Sequence, residues 1–137
     1  MSILALAMSV SNRDGSNDPD AVYLPGTVIM DNLDQRGGID WVAYHSPAAF
    51  AAGDTPIPNA QHHTDLSPAL YAGVVNFPLP AGATTYGQAT AAALVYLAMN
   101  VKDVPGKNPD GSTMLDPATG QPVMVSYFAS ATVVALG

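Results

Sequence analysis

VMVSYFASATVVA, the stretch from Val123 to Ala135, is the clearest indication of the fold in this chain. Every odd position in it is apolar, whereas Ser126, Ser130 and Thr132 interrupt the even positions. Successive side chains of a β-strand point to opposite faces, so this period of two predicts a single strand with its odd face inward.

Segments rich in Asp, Asn, Gly and Pro separate the other apolar segments. They lie at residues 12–20, 31–38, 105–111 and 116–122. All 11 acidic residues are Asp, which hydrogen-bonds to nearby backbone in turns, and Glu is absent. Turns at this spacing are typical of β domains. We therefore expect one domain over residues 1–137, mainly β, with an antiparallel β-sandwich or jelly-roll-like arrangement.

One segment favours a helix. Thr85 and Gln88 have the spacing of a capping box, and the run from Ala89 to Met99 is rich in Ala and Leu. We predict one short α-helix at about 86–99, although the same residues also alternate as a buried strand would. The Pro-rich middle, from Pro47 to Pro80, is expected to be a long irregular loop around one strand at about Leu70 to Phe77.

Charge is scarce and unevenly distributed. Charged residues make up 11% of the chain, against about 25% in ordinary domains. None lies between Asp65 and Lys102, and none follows Asp116. Such tracts are hidden in a core, in a sheet or against other chains. The net charge of −7 opposes binding to nucleic acid.

Two further classes are disfavoured. The longest nearly unbroken apolar run, Ala89 to Met99, is shorter than the roughly 20 residues of a membrane span, so no membrane association is expected. Cysteine is absent, which excludes a disulfide framework and a thiolate zinc site.

The N-terminal segment is apolar on both faces. Leu4 and Leu6 share one face of a strand, whereas Ile3, Ala5 and Ala7 make the other face apolar as well. A strand of this kind is central in a sandwich or covered by a neighbouring chain. The segment lacks a basic region, so we expect no signal peptide.

Motifs that could carry chemistry are weak. His62 and His63 are adjacent, so in a strand they point to opposite faces and cannot share one metal, although a loop would permit it. A polar loop near a subunit boundary is the favoured interpretation. Oxygen ligands alternate over residues 12–18, but without the Gly and Glu of a calcium-binding loop, so a solvated turn is expected. Gly106-Lys107 does not match a phosphate-binding loop and is interpreted as a hairpin connection. We predict no catalytic residue, cofactor or metal, and a hydrolase using His45 or His63 is the least favoured class.

Trp41 has two interpretations. It alternates with Ile39 and Ala43 at strand spacing, which favours a core anchor. The alternative is a carbohydrate- or protein-binding β module in which Trp41, Tyr44 and Asp40 form a polar and aromatic platform.

In size, in its unprocessed start, in its Asp-Pro-Ala-Thr-Gly hairpin at residues 116–120 and in its strand-rich end, the chain resembles the small cement or decoration proteins of tailed bacteriophage capsids. The resemblance covers the whole chain and rests on general character. It implies a β-sandwich or jelly-roll-like virion structural protein on the outer capsid surface. Such a subunit, a homodimer or homotrimer, would clamp neighbouring major capsid proteins.

Stabilisation by such a subunit follows from mass action, because a protein that binds only the assembled shell adds its binding free energy to that state. Many weak identical contacts add up over the shell. We expect the partner contacts to come from apolar N-terminal residues and from loops, namely Ile3, Leu4, Leu6, His62, His63 and Tyr71.

Overall fold

The computed structural model describes residues 3–11, 15–58, 60–78 and 86–136, with the backbone alone for residues 3 and 86–88. In chain order the strands are β1 (Ile3–Ala7), β2 (Val10–Ser11), β3 (Asn17–Asp18), β4 (Val22–Asp31), β5 (Arg36–Tyr44), β6 (His62–Leu66), β7 (Val104–Pro105), β8 (Met124–Val125) and β9 (Thr132–Leu136). The helices are α1 (Pro47–Ala51), α2 (Pro68–Val75) and α3 (Tyr86–Ala98).

The largest element is a five-stranded antiparallel sheet with the spatial order β6-β5-β4-β1-β9. Two smaller antiparallel pairs, β2 with β3 and β7 with β8, lie outside it. The predicted mainly β class is confirmed, whereas a sandwich or jelly-roll arrangement is not. β1 lies between β4 and β9. Both of its faces are apolar because Leu6 packs in the main core on one face, whereas Ala5 packs in a second apolar cluster on the other.

The longest pairing is the hairpin of β4 and β5. It runs from Val22 opposite Tyr44 to Asp31 opposite Arg36, with a bulge between Pro25 and Thr27. Glycine is required near its tip, because a Cβ on Gly37 would collide with the backbone of Ile29 on the other strand. The hairpin therefore holds one register, which fixes what each face presents.

The main core forms where the sheet meets α3 and the segment after β8. Trp41 is fully buried and donates its indole N–H to the Thr64 hydroxyl at 3.0 Å. Its ring meets that of Phe128 edge to face, with centroids 4.9 Å apart. The interpretation of Trp41 as a core anchor is confirmed. Leu6 and Leu94 belong to the same cluster, which joins β1 to α3.

The middle of the chain is more regular than expected. Ser67 caps α2 by accepting a hydrogen bond from the backbone N–H of Leu70 at 3.4 Å, and Pro68 occupies the first turn. The strand predicted at Leu70 to Phe77 is therefore wrong. The long irregular loop over 47–80 is also wrong, because the region contains α1, β6 and α2.

The predicted helix at about 86–99 is confirmed as α3. Thr85 of the predicted capping box lies outside the described residues. The consecutive residues 92–95 are all buried, so α3 is covered on more than one side. Alanines allow this close approach, and α3 packs against β1 and α2. Within the described residues, no helix has the length and apolar character to cross a membrane.

The single strand predicted from Val123 to Ala135 is wrong, because a turn at 127–130 divides it into β8 and β9. Ser126 causes the break. Its hydroxyl donates to the carbonyl of Ala98 at 2.6 Å and accepts from the N–H of Phe128 at 3.0 Å. The side chain thus directs Phe128 onto Trp41.

The turns predicted between β7 and β8 are confirmed. Asp110 accepts from the N–H of Ser112 at 2.9 Å, and Gly111 has φ +88°. Asp116 accepts from the N–H of Ala118 at 2.8 Å, and Gly120 has φ +70°. Asp thus acts as a local backbone acceptor, as its exclusive use over Glu suggests.

The hydrogen bond from Trp41 to Thr64 allows a test of the core. In Thr64→Val the shape is kept but the buried indole N–H has no acceptor, which costs about 1–3 kcal/mol. We expect the free energy of unfolding to fall by that amount, measured by urea unfolding followed through the emission of Trp41. Thr55→Val, at an exposed position outside the helices and strands, is the matched control. Equal stability of the two variants would show that the hydrogen bond contributes nothing.

Candidate functional site

Each of the 3 His side chains in the sequence contacts an Asp carboxylate. Three of the four contacts join residues that lie 23 to 41 positions apart in the sequence. The pairs are His45 Nδ1 with Asp18 Oδ1 at 2.6 Å, His62 Nε2 with Asp103 Oδ2 at 2.7 Å, His63 Nδ1 with Asp40 Oδ1 at 2.6 Å and His63 Nε2 with Asp65 Oδ1 at 2.9 Å.

The cluster around His63 lies on the outer face of the sheet, at its β6 edge. Asp40 on β5 is the direct cross-strand neighbour of His63, and Asp65 lies two residues further along β6 on the same face. The imidazole rests on Gly38, where an added Cβ would come within 2.7 Å of the ring. Strand register and one glycine therefore place the ring between two carboxylates.

This geometry favours the protonated imidazole. Carboxylate oxygens only accept hydrogen bonds, and a neutral imidazole has a single N–H to donate. Only the imidazolium can donate to Asp40 and Asp65 together. The hydrogen bond to Asp40, and next that to Asp65, accordingly raise the pKa of His63 above its ordinary value. The His63 side chain is 53% exposed, so solvent screens the interaction.

In chemical terms the His63 cluster is an ionic link between neighbouring strands. Both ring nitrogens face carboxylates, so in the protonated state neither has a lone pair to offer. Among the described residues, no group of three or more His, Asp or Glu side chains could hold a metal ion. The cluster ties the edge strand β6 to β5 and places charge along that edge.

His62 points to the opposite face and is largely buried. Its ring stacks on Tyr127, with centroids 3.9 Å apart and planes inclined by 6°. Asp103 accepts from His62 and also, at 3.0 Å, from the backbone N–H of Tyr127. The Tyr127 hydroxyl in turn lies 2.7 Å from that of Tyr23. Burial, followed by the contact with Tyr127, raises the pKa of Tyr23 far above its ordinary value, so this hydroxyl stays protonated. The network joins β6, β4 and the turn after β8.

The residues predicted to contact a partner do not form one surface. Leu6 is fully buried, and Leu4 is half-buried beside the main core. Leu6 is therefore a core residue and not a contact residue. The backbone of Ile3 lies in β1, and its side chain is outside the description.

The loop positions in that prediction are equally separated. Tyr71 is buried on α2, from which its hydroxyl donates to Asn32 in the turn between β4 and β5. His62 and His63 lie on opposite faces of β6, as their adjacency in a strand requires. Of the named residues whose side chains the structure describes, His63 is the one that the fold leaves substantially exposed.

The platform of Trp41, Tyr44 and Asp40 does not form. Trp41 is fully buried on one face of β5, and alternation places Asp40 and Tyr44 on the other. Tyr44 packs edge to face against Phe50 of α1. A sugar could not stack on the indole without unfolding the core.

The two loops that resemble ion-binding motifs have structural roles where they are described. Residues 12–14 of the predicted turn lie outside the described residues, and Asp18 contacts His45. Lys107 bridges to Thr113 in an antiparallel connection, which confirms the hairpin interpretation.

Sequence reasoning missed a set of exposed apolar side chains. Leu33, at the tip of the β4–β5 hairpin, is 95% exposed, and Ile29 on the same hairpin is 61% exposed. The signal was present in the sequence, because a leucine inside a turn-forming segment has no core to enter. The remaining members of the set are Val75, Tyr96, Leu115 and Met124.

Titration of His63 tests the cluster. In Asp40→Asn one carboxylate becomes neutral, so the pKa of His63 should fall toward about 6.5, the value of a free imidazole. The measurement is an NMR titration of the imidazole protons. Asp54→Asn, an exposed site, is the control and should leave the titration unchanged.

Protonation of His63 changes the free energy of unfolding in a definite direction. A raised pKa in the folded state contributes stability below about pH 6.5, and this contribution is lost as the pH rises through the folded-state pKa. His63→Gln should therefore lower the free energy of unfolding at pH 5.5 and have less effect at pH 9. The difference should be under about 1 kcal/mol, as is usual for exposed pairs. A larger loss at pH 9 would contradict the assignment.

Comparison with protein-family models, with curated proteins and with solved structures gave no match.

Proposed function

We propose that this chain is a non-enzymatic structural subunit that binds the outer surface of a bacteriophage capsid and stabilises it by bridging major capsid proteins. The capsid as partner rests on the resemblance in size, hairpin sequence and strand-rich end. The binding role is supported by one observation, the presentation of Leu33 at the tip of the β4–β5 hairpin.

The turn that carries Leu33 is held on several sides. The Asp31 carboxylate accepts from the N–H of Leu33 at 3.0 Å and from that of Asp34 at 3.1 Å. Asn32 accepts from the hydroxyl of Tyr71 on α2, and Gln35 adopts φ +53°. These contacts define the backbone of the turn. A preorganised apolar side chain binds a partner with little loss of conformational entropy.

Leu33 offers a useful binding free energy per copy. Full burial of a leucine side chain contributes about 1.5–3 kcal/mol. That is weak for one contact, but many identical subunits on one lattice add their contributions. A cement role needs contacts of this kind, because each subunit stabilises the assembled state by its own binding free energy.

Particle composition tests the proposal. In density-gradient-purified phage particles assembled with the tagged full-length chain, we expect the chain in a fixed ratio to the major capsid protein, measured by quantitative mass spectrometry. Particles that lack the chain should release DNA at a lower temperature. The absence of the chain from purified particles that still have normal heat stability would contradict the proposal.

The hairpin contact has its own test. Leu33→Ser should weaken binding to capsids by about tenfold to a hundredfold, because burial of the leucine is lost. The measurement is occupancy of capsids against concentration of added protein. Leu115→Ser, at a leucine that is 55% exposed on the connection between β7 and β8, is the matched control. Equal weakening by both variants would show that the hairpin tip is not the contact.

A further inference from the structure

The two edges of the five-stranded sheet differ in character. The β6 edge carries His63 and Asp65, and charged side chains on an edge strand discourage pairing with another chain. The β9 edge has the sequence Thr-Val-Val-Ala-Leu, with neither charge nor proline. In the part of the chain that the structure describes, β9 pairs with β1 alone. Its outer backbone groups thus form a template for a further strand.

The charge distribution permits a second copy of this chain at β9. With a net charge of −7, two copies repel each other wherever their carboxylates meet. β9 and its neighbour β1 contain no charged residue, and none occurs over residues 117–137. Strand pairing along this edge therefore sets no carboxylate of β1 or β9 against another, and Asp20, which lines a surface pocket with Val134 and Leu136, is the carboxylate that the contact has to accommodate.

We propose that two copies of this chain associate through their β9 strands, antiparallel and in register about a two-fold axis at Val134. A two-fold axis makes a strand antiparallel to its own copy, so the pairing is self-complementary. The two five-stranded sheets then form one continuous sheet. The proposal is independent of the hairpin contact, because it rests on the other end of the sheet.

The side chains fit this register. Val134 lies opposite Val134 of the partner subunit, and Thr132 lies opposite Leu136 of the partner subunit. Val134 and Leu136 belong to the apolar cluster on the second face of the sheet, with Ala5, so that cluster becomes continuous across the axis. β-Branched and apolar pairs of this kind stabilise antiparallel strands.

The absence of native cysteine provides a clean test. In Val134→Cys the two thiols face each other across the axis, where directly opposite Cβ atoms lie about 4.5–5.5 Å apart, close enough for a disulfide after small adjustment. Under mild oxidation we expect a covalent dimer on non-reducing gels. Its formation should be roughly a hundredfold faster than for Ala118→Cys, an exposed control, because pairing makes the reaction effectively intramolecular.

A second measurement does not depend on cysteine chemistry. Sedimentation of the unmodified chain should give twice the 14.1 kDa chain mass. Ala135→Asp adds a charge at an exposed position of β9 and should weaken the dimer by about tenfold or more, whereas Ala118→Asp adds the same charge elsewhere and should not. Leu33→Ser should leave the dimer intact. Two results together would overturn the proposal. One is a mass of 14.1 kDa at several hundred micromolar protein, about the concentration range of weak dimers. The other is an equal rate of cross-linking for Val134→Cys and Ala118→Cys.

Discussion

The packing of the Trp41 indole between Thr64 and Phe128 is the contact on which the rest of the structure depends. Trp41 belongs to β5, Thr64 to β6 and Phe128 to the turn after β8, so one side chain holds three separate segments. Ser126 extends the link to α3 through the carbonyl of Ala98. Since the indole is fully buried, its polar atom needs a partner, and the partner fixes where β6 can lie.

Contacts between distant segments, such as those of Trp41, separate the parts of the fold that could be predicted from those that could not. Local signals sufficed for Trp41 as a core anchor, for the α3 helix and for the Asp-rich turns, because each depends on periodicity or on nearby backbone. The strand predicted over 123–135 failed, since Ser126 bonds to a carbonyl 28 residues away and bends the chain. Alternation along a sequence cannot reveal such a tertiary hydrogen bond. The helix α2 was within reach, because Ser67-Pro68 is a helix-start signal of the same kind as Ser46-Pro47.

The candidate sites needed even more tertiary information. His63 meets Asp40 because β5 and β6 pair in one register, and a shift of one residue would place the two side chains on opposite faces. The sequence shows only two adjacent histidines and several scattered Asp residues. Leu33 differs, because its exposure follows from its position in a turn. The predicted N-terminal contacts were chosen for apolar character, which selects core positions such as Leu6 as readily as contacts.

The arrangement of charge along the sheet connects the two proposed surfaces. Asp40, His63 and Asp65 lie at one edge, whereas β1 and β9 at the other carry no charge. Pairing through β9 would place the charged β6 strands at the two outer ends of a continuous sheet, with one β4–β5 hairpin in each half. Each dimer would then present two Leu33 side chains that are far apart and related by the two-fold axis. A bivalent subunit of this shape can bind two neighbouring lattice proteins, and its second contact forms at the high effective concentration that the first contact creates. In the proposed assembly, bridging would follow from a weak apolar contact that symmetry duplicates, and it would require no large interface on either hairpin.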